Sequence, residues 1–116
     1  MIYNIPPIVT DIIIIFWIHF ITDFVLQSSW MAQNKSKAGN LALEAHVLVY
    51  TIPLLYFGWL FALVNGLAHY ITDFITSKLS SEQWKNGKVH NFFVVVGFDQ
   101  AIHNTTLVLT YWWLVA

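Results

Sequence analysis

The chain has no cysteine and no arginine, and very little charge of either sign. The missing cysteines exclude disulfides and thiolate metal sites. Without arginine, and with a formal net charge of −1, there is no basic stripe to meet the phosphates of a nucleic acid, which excludes that partner. Charged residues make up 9% of the 116 positions, against roughly 25% in ordinary soluble domains. So few charges cannot cover the surface of a soluble domain, and lipid is expected to take their place. Also missing are a Walker loop, a Gly-x-Ser-x-Gly elbow and a His-Glu-x-x-His helix. The first seven residues carry no Lys or Arg, so the apolar run after them does not read as a cleavable signal peptide.

What is present is apolar and aromatic: 58% hydrophobic residues, 17% Phe, Trp and Tyr. A membrane-crossing helix takes about 20 mainly apolar residues. Four such segments are expected, at about 8–26, 41–57, 59–79 and 91–115, forming a single transmembrane domain over 1–116. Residues 27–40 and 80–90 are polar and read as loops; Gly58 marks the turn between the second and third helices. A competing division runs one helix through Val64 and breaks it at Asn65-Gly66, leaving a following segment too short to span. All five lysines lie at or in the two polar loops, which the positive-inside rule makes cytoplasmic, with both termini outside. Tyr3, Tyr56, Trp59 and Tyr111–Trp113 then fall at the outer boundary, and Trp30 and Trp84 at the inner one. The expected fold is an all-α, four-helix membrane bundle.

A repeat runs through it. His19-Phe-Ile-Thr-Asp-Phe-Val and His69-Tyr-Ile-Thr-Asp-Phe-Ile agree at five of seven positions, 50 residues apart. Both copies run in the same direction through the membrane, as in a duplicated helical hairpin. Residues four apart share a helix face, so His19 and Asp23 project together, as do His69 and Asp73. Asp99 and His103 repeat the spacing in reverse on the antiparallel last helix. At 1.5 Å per residue the three aspartates lie roughly 8 to 12 Å inside the cytoplasmic boundary, with the histidines one turn deeper. Glu44 and His46 are expected nearer the cytoplasmic surface. Asp11 reads as an interfacial residue or cap, and Gly66 and Gly97 as sites of close helix approach.

A carboxylate in lipid must face a partner inside the bundle. Carboxylates with neutral imidazoles, and no thiolate, suit one or two divalent ions such as zinc, manganese or iron. His19, Asp23, His46, His69, Asp73, Asp99 and His103 are the expected ligands, with Glu44 as catalytic base. Without a metal, the same His–Asp pairs would serve to clamp helices together.

The segments His19–Gln27, Glu44-Ala-His-Val-Leu-Val-Tyr50, His69-Tyr-Ile-Thr-Asp73 and Gly97-Phe-Asp-Gln-Ala-Ile-His103 resemble a family of small four-helix bacterial and phage inner-membrane proteins of unknown function. That family is more distantly similar to proteins classed as membrane-bound, metal-dependent hydrolases. The resemblance implies a multi-pass protein of the bacterial inner membrane. Three functions follow as expectations: a metal-dependent hydrolase acting on an amphiphilic lipid or polyprenyl phosphate from the cytoplasmic side, a proton or metal-ion transporter using an Asp/His relay, and a non-catalytic membrane interaction protein. The lipid bilayer is the expected partner; assembly into a homo-oligomer stays open.

Overall fold

The computed structural model describes residues 4–37, 39 and 41–116, and among these there are helices and turns but no strand. Helix α1 (Pro7–Phe20) runs without a break into a π-helical turn (Ile21–Val25). A short helix α2 (Ser29–Asn34) follows, then α3 (Ala42–Leu54) with a 3₁₀ turn (Leu55–Phe57), α4 (Trp59–Lys85) and α5 (Val89–Leu114). Helix α4 packs along both α3 and α5, and α1 closes the bundle against those two.

The break between α3 and α4 falls at Gly58, with φ 130° and ψ 147°, a conformation that suits only a residue without Cβ. Asn65 and Gly66 lie inside α4, so the competing division is wrong. Helix α4 also runs past the expected end near residue 79. Glu82, Gln83 and Lys85 are good helix formers, and the helix stops only at Asn86-Gly87. There Gly87 N–H donates to the Trp84 carbonyl (3.1 Å) and Lys88 N–H to the Gln83 carbonyl (2.9 Å), the bonding pattern of a Schellman end. Residues 29–34, expected as loop, form α2 because the Ser28 hydroxyl caps it, accepting from Met31 N–H at 3.2 Å.

Two stretches, Pro7–Val25 and Val89–Leu114, are long and apolar enough to cross a membrane. The other two expected spans do not meet that test: Ala42–Phe57 is apolar but short, and the last third of α4 is polar. The two apolar stretches are 22% and 17% buried, unlike the core helices of a soluble protein.

The interior is divided lengthwise. At the end holding the start of α1, the α3–α4 turn and the end of α5, Ile15, Tyr50, Leu54, Phe61, Ala62, Leu107 and Tyr111 form an apolar core. Toward the other end most of the buried residues are polar, namely His19, Asp23, His46, His69, Asp73, Thr76, Ser77, Asp99 and His103, with Ala42 and Leu43 buried at the start of α3. Gly66 allows α3 and α4 to approach closely, since a Cβ there would stand 2.5 Å from Thr51 Oγ1. Gly97 has nothing within 4 Å of that position, so the close approach expected of it is absent.

Candidate metal centre

Helical spacing places the first pairs. His69 and Asp73 on α4 stand 3.6 Å apart (Nε2 to Oδ2), and His103 and Asp99 on α5 stand 3.1 Å apart. His19 and Asp23 stand 3.7 Å apart, although Asp23 lies in the π turn, whose Leu26 N–H reaches back five residues to Ile21 (2.8 Å). Such turns are rare and frequently accompany functional sites.

His46 of α3 joins the two halves of the repeat. Its Nε2 lies 2.9 Å from Asp23 Oδ1, 3.3 Å from Asp73 Oδ2 and 3.0 Å from His69 Nε2. The sequence alone suggested a position nearer the surface; its side chain is instead fully buried at the centre of the group. His69 Nε2 is in turn 3.5 Å from Asp23 Oδ1. Three helical segments, the π turn, α3 and α4, thus bring two imidazoles and two carboxylates into one space.

The separations admit a metal. Four ligands on a tetrahedron of radius about 2.0–2.1 Å are about 3.3–3.4 Å apart. In the quartet of Asp23, His46, His69 and Asp73, the separations of the two histidine nitrogens from each other and from the carboxylate oxygens run from 2.9 to 3.6 Å. Asp23, Asp99 and His103 form a second group of converging ligand atoms. His103 Nε2 is buried and, among the described residues, has no partner at hydrogen-bonding geometry, although it lies 3.1 Å from Asp99 Oδ2 and 3.6 Å from Asp73 Oδ1. A donor set of carboxylates and imidazoles is what a zinc, manganese or iron ion takes.

His19 belongs to neither group. Its Nε2 donates to Gln100 Oε1 (2.6 Å), and Gln100 Nε2 donates to Asp23 Oδ2 (2.7 Å) and Asp99 Oδ2 (3.1 Å). Gln100 therefore ties a histidine to two carboxylates without being a ligand. The Thr76 hydroxyl lies 2.5 Å from Asp99 Oδ1. Glu44 stands outside the constellation on the exposed side of α3, where it accepts from the Tyr70 hydroxyl (3.0 Å). It is two residues from His46, and two residues is more than half a helical turn, so the two side chains point apart. The base expected at Glu44 is not at the site.

Three participants escaped the sequence reading. Tyr50 stacks on His69 with ring centroids 3.9 Å apart; its position four after His46 was the available signal. Gln100 sits inside the Gly97–His103 motif, next to Asp99. Lys35, one residue beyond α2, donates to Asp73 Oδ2 at 3.0 Å, and nothing in the local sequence signals that reach.

A helical protein with a buried Asp/His constellation of metal-ligand spacing is the class that fold and site define. The chain belongs to the family described as protein of unknown function DUF3307, whose profile matches residues 12–116. No curated protein and no solved structure matches it.

Proposed function

We propose that this chain is a membrane-embedded, metal-dependent hydrolase that acts on an amphiphilic substrate from the cytoplasmic side of a bacterial inner membrane. The observation that carries the reading is the quartet of Asp23, His46, His69 and Asp73, whose ligand atoms stand at tetrahedral spacing. These four residues would hold a divalent ion, which would supply Lewis-acid polarisation and lower the pKa of a bound water. Asp99 and His103, 3.1 Å apart and adjacent to the quartet, take over the base role: His103 accepts the proton from water and Asp99 stabilises the resulting imidazolium. In a two-ion version, Asp23, Asp99 and His103 are ligands as well.

Several features support the membrane setting. The bundle is 49 Å long, against about 40–45 Å for a bilayer with its headgroups, and large apolar side chains cover its outside while polar ones fill one end of its inside. The four-span arrangement, with both lysine-bearing loops cytoplasmic, accounts for both. A relay for ions fits less well. Asp11, the first step of such a path, accepts from Tyr111, and the buried polar pair beside the apolar core of Ile15, Leu54, Phe61 and Leu107 is Asn65 and Thr110, an amide and a hydroxyl bonded to each other (2.8 Å) that do not titrate.

Elemental mass spectrometry on detergent-purified protein is the test. Wild type and Glu44→Gln are expected to carry one or two equivalents of a transition metal, and His46→Ala/Asp73→Ala to lose the quartet ion. Asp99→Ala/His103→Ala keeps one equivalent in either version and loses hydrolysis of lipid or phosphate esters. Wild type without metal, after supplemented growth and purification without chelator, would sink the hydrolase.

A further inference from the structure

A cleft leads from the constellation toward the polar end of the bundle, with a volume of about 360 Å³. Its floor holds Asp23, Asp73 and Asp99, and its walls include Lys35, Ser77 and the apolar side chains of Phe24 and Phe93. Phe24 and Phe93 are also exposed on the outside of the bundle, so the apolar wall continues onto the apolar exterior. A ligand with a polar head and an apolar tail finds both chemistries side by side.

Two side chains make the head end selective. Lys35 brings an ammonium to the cleft, with its side chain 17% exposed and its Nζ on Asp73 Oδ2. Ser77 lies one helical turn beyond Asp73 and is 6% exposed. The hydroxyls of Thr22, Thr51, Thr76, Thr105, Thr106 and Thr110 all return to the carbonyl four residues back. Ser77 does not: its Oγ is buried and, among the described residues, unpartnered. A buried hydroxyl without a partner is costly unless something meets it, and this one lines the cleft beside a cation. The Gln27 side-chain oxygen, on the same cleft, is likewise buried and unpartnered and can accept from a headgroup hydroxyl.

We propose that Lys35 and Ser77 anchor the phosphate of a lipid headgroup in this cleft, with the acyl or prenyl chain leaving past Phe24 and Phe93. The inference rests on the hydrolase reading for what happens next to the bound phosphate, but not for the binding itself. The Lys35 ammonium has three donors and spends one on Asp73, which leaves two for the phosphate; an ion held at the quartet would weaken its hold on Asp73 further. Ser77 donates a second hydrogen bond, and a charge-assisted contact beside a neutral one is a common way to hold such an anion.

The test is calorimetric titration of full-length protein in detergent with three probes: short-chain phosphatidic acid, the matching diacylglycerol, and inorganic phosphate. Wild type is expected to bind phosphatidic acid at least about tenfold more tightly than diacylglycerol. Lys35→Met and Ser77→Ala should each lose most of that preference, and Lys35→Arg should retain it. Unchanged discrimination in both Lys35→Met and Ser77→Ala overturns the anchor, as does a wild type that does not discriminate. Inorganic phosphate bound as tightly as phosphatidic acid overturns the lipid source and assigns the site to free phosphate. Metal content measured on the same samples separates the two readings. Metal-free protein that still discriminates through Lys35 supports the anchor while removing the hydrolase; Lys35→Met that keeps its metal and loses discrimination supports both.

Discussion

His46 and Gln100 do different work in the same space. His46 presents one nitrogen to both aspartates of the repeat and to His69, a convergence that suits a shared cation better than a set of separate hydrogen bonds, since one ring nitrogen carries at most one proton. Gln100 uses both ends of its amide, accepting from His19 and donating to Asp23 and Asp99. Gln100→Leu leaves those three groups short of a partner inside a poorly solvated interior. Its expected cost is about 1–3 kcal/mol, seen as a lowered Tm in detergent, and an unchanged Tm would mean that water or another side chain replaces the amide. The His–Asp pairs were legible because four-residue spacing is a local property of a helix. Gln100 was not, since nothing local tells whether an amide bridges other side chains or faces lipid.

Among the elements, α3 and α4 depend on one close contact. A methyl at Gly66 would meet Thr51 Oγ1 at 2.5 Å, and that hydroxyl is held by its bond to the Val47 carbonyl (2.7 Å). Gly66→Ala is therefore expected to destabilise by about 1–3 kcal/mol through overpacking, although alanine is the better helix former. Thr51→Ala in the same chain should restore most of the loss; thermal unfolding of the single and double variants measures both. Gly97→Ala, with open space around it, should leave Tm level or raise it. Both glycines look alike in sequence as candidate points of close approach, and only the facing helix separates them. The π turn was hidden for a related reason. Residues 21–25 contain no proline or glycine, so a regular helix was the natural expectation for a segment that carries Asp23 in a wider turn.

For the whole molecule, the polar constellation sits toward one end of the bundle and the apolar core toward the other. The proposed topology puts the α2 side in the cytoplasm and the α3–α4 turn outside. Single cysteines at Ser36 and at Tyr56 of this cysteine-free chain should report it: a membrane-impermeant maleimide added to intact spheroplasts is expected to label Tyr56→Cys and spare Ser36→Cys until the membrane is opened. The opposite pattern would invert the protein, and with it the side from which the cleft is reached.

The helical character, the His–Asp pairs and the turn at Gly58 were determined by sequence itself, because each rests on local rules: apolar run length, four-residue spacing, and a backbone conformation open to glycine. The length of α4 was misjudged by the same local logic, since polarity suggested a loop where helix-forming side chains carried the turn onward to Asn86. Only the tertiary structure decided which ligands meet. His46 and His69 converge while His19 turns to Gln100, although His19 and His69 occupy matching places in the repeat. Lys35 enters the site from α2, and Glu44 stays out. These outcomes depend on how four segments rotate and approach one another, and a single nitrogen moved by a few ångströms across a helix interface leaves no trace in the order of residues.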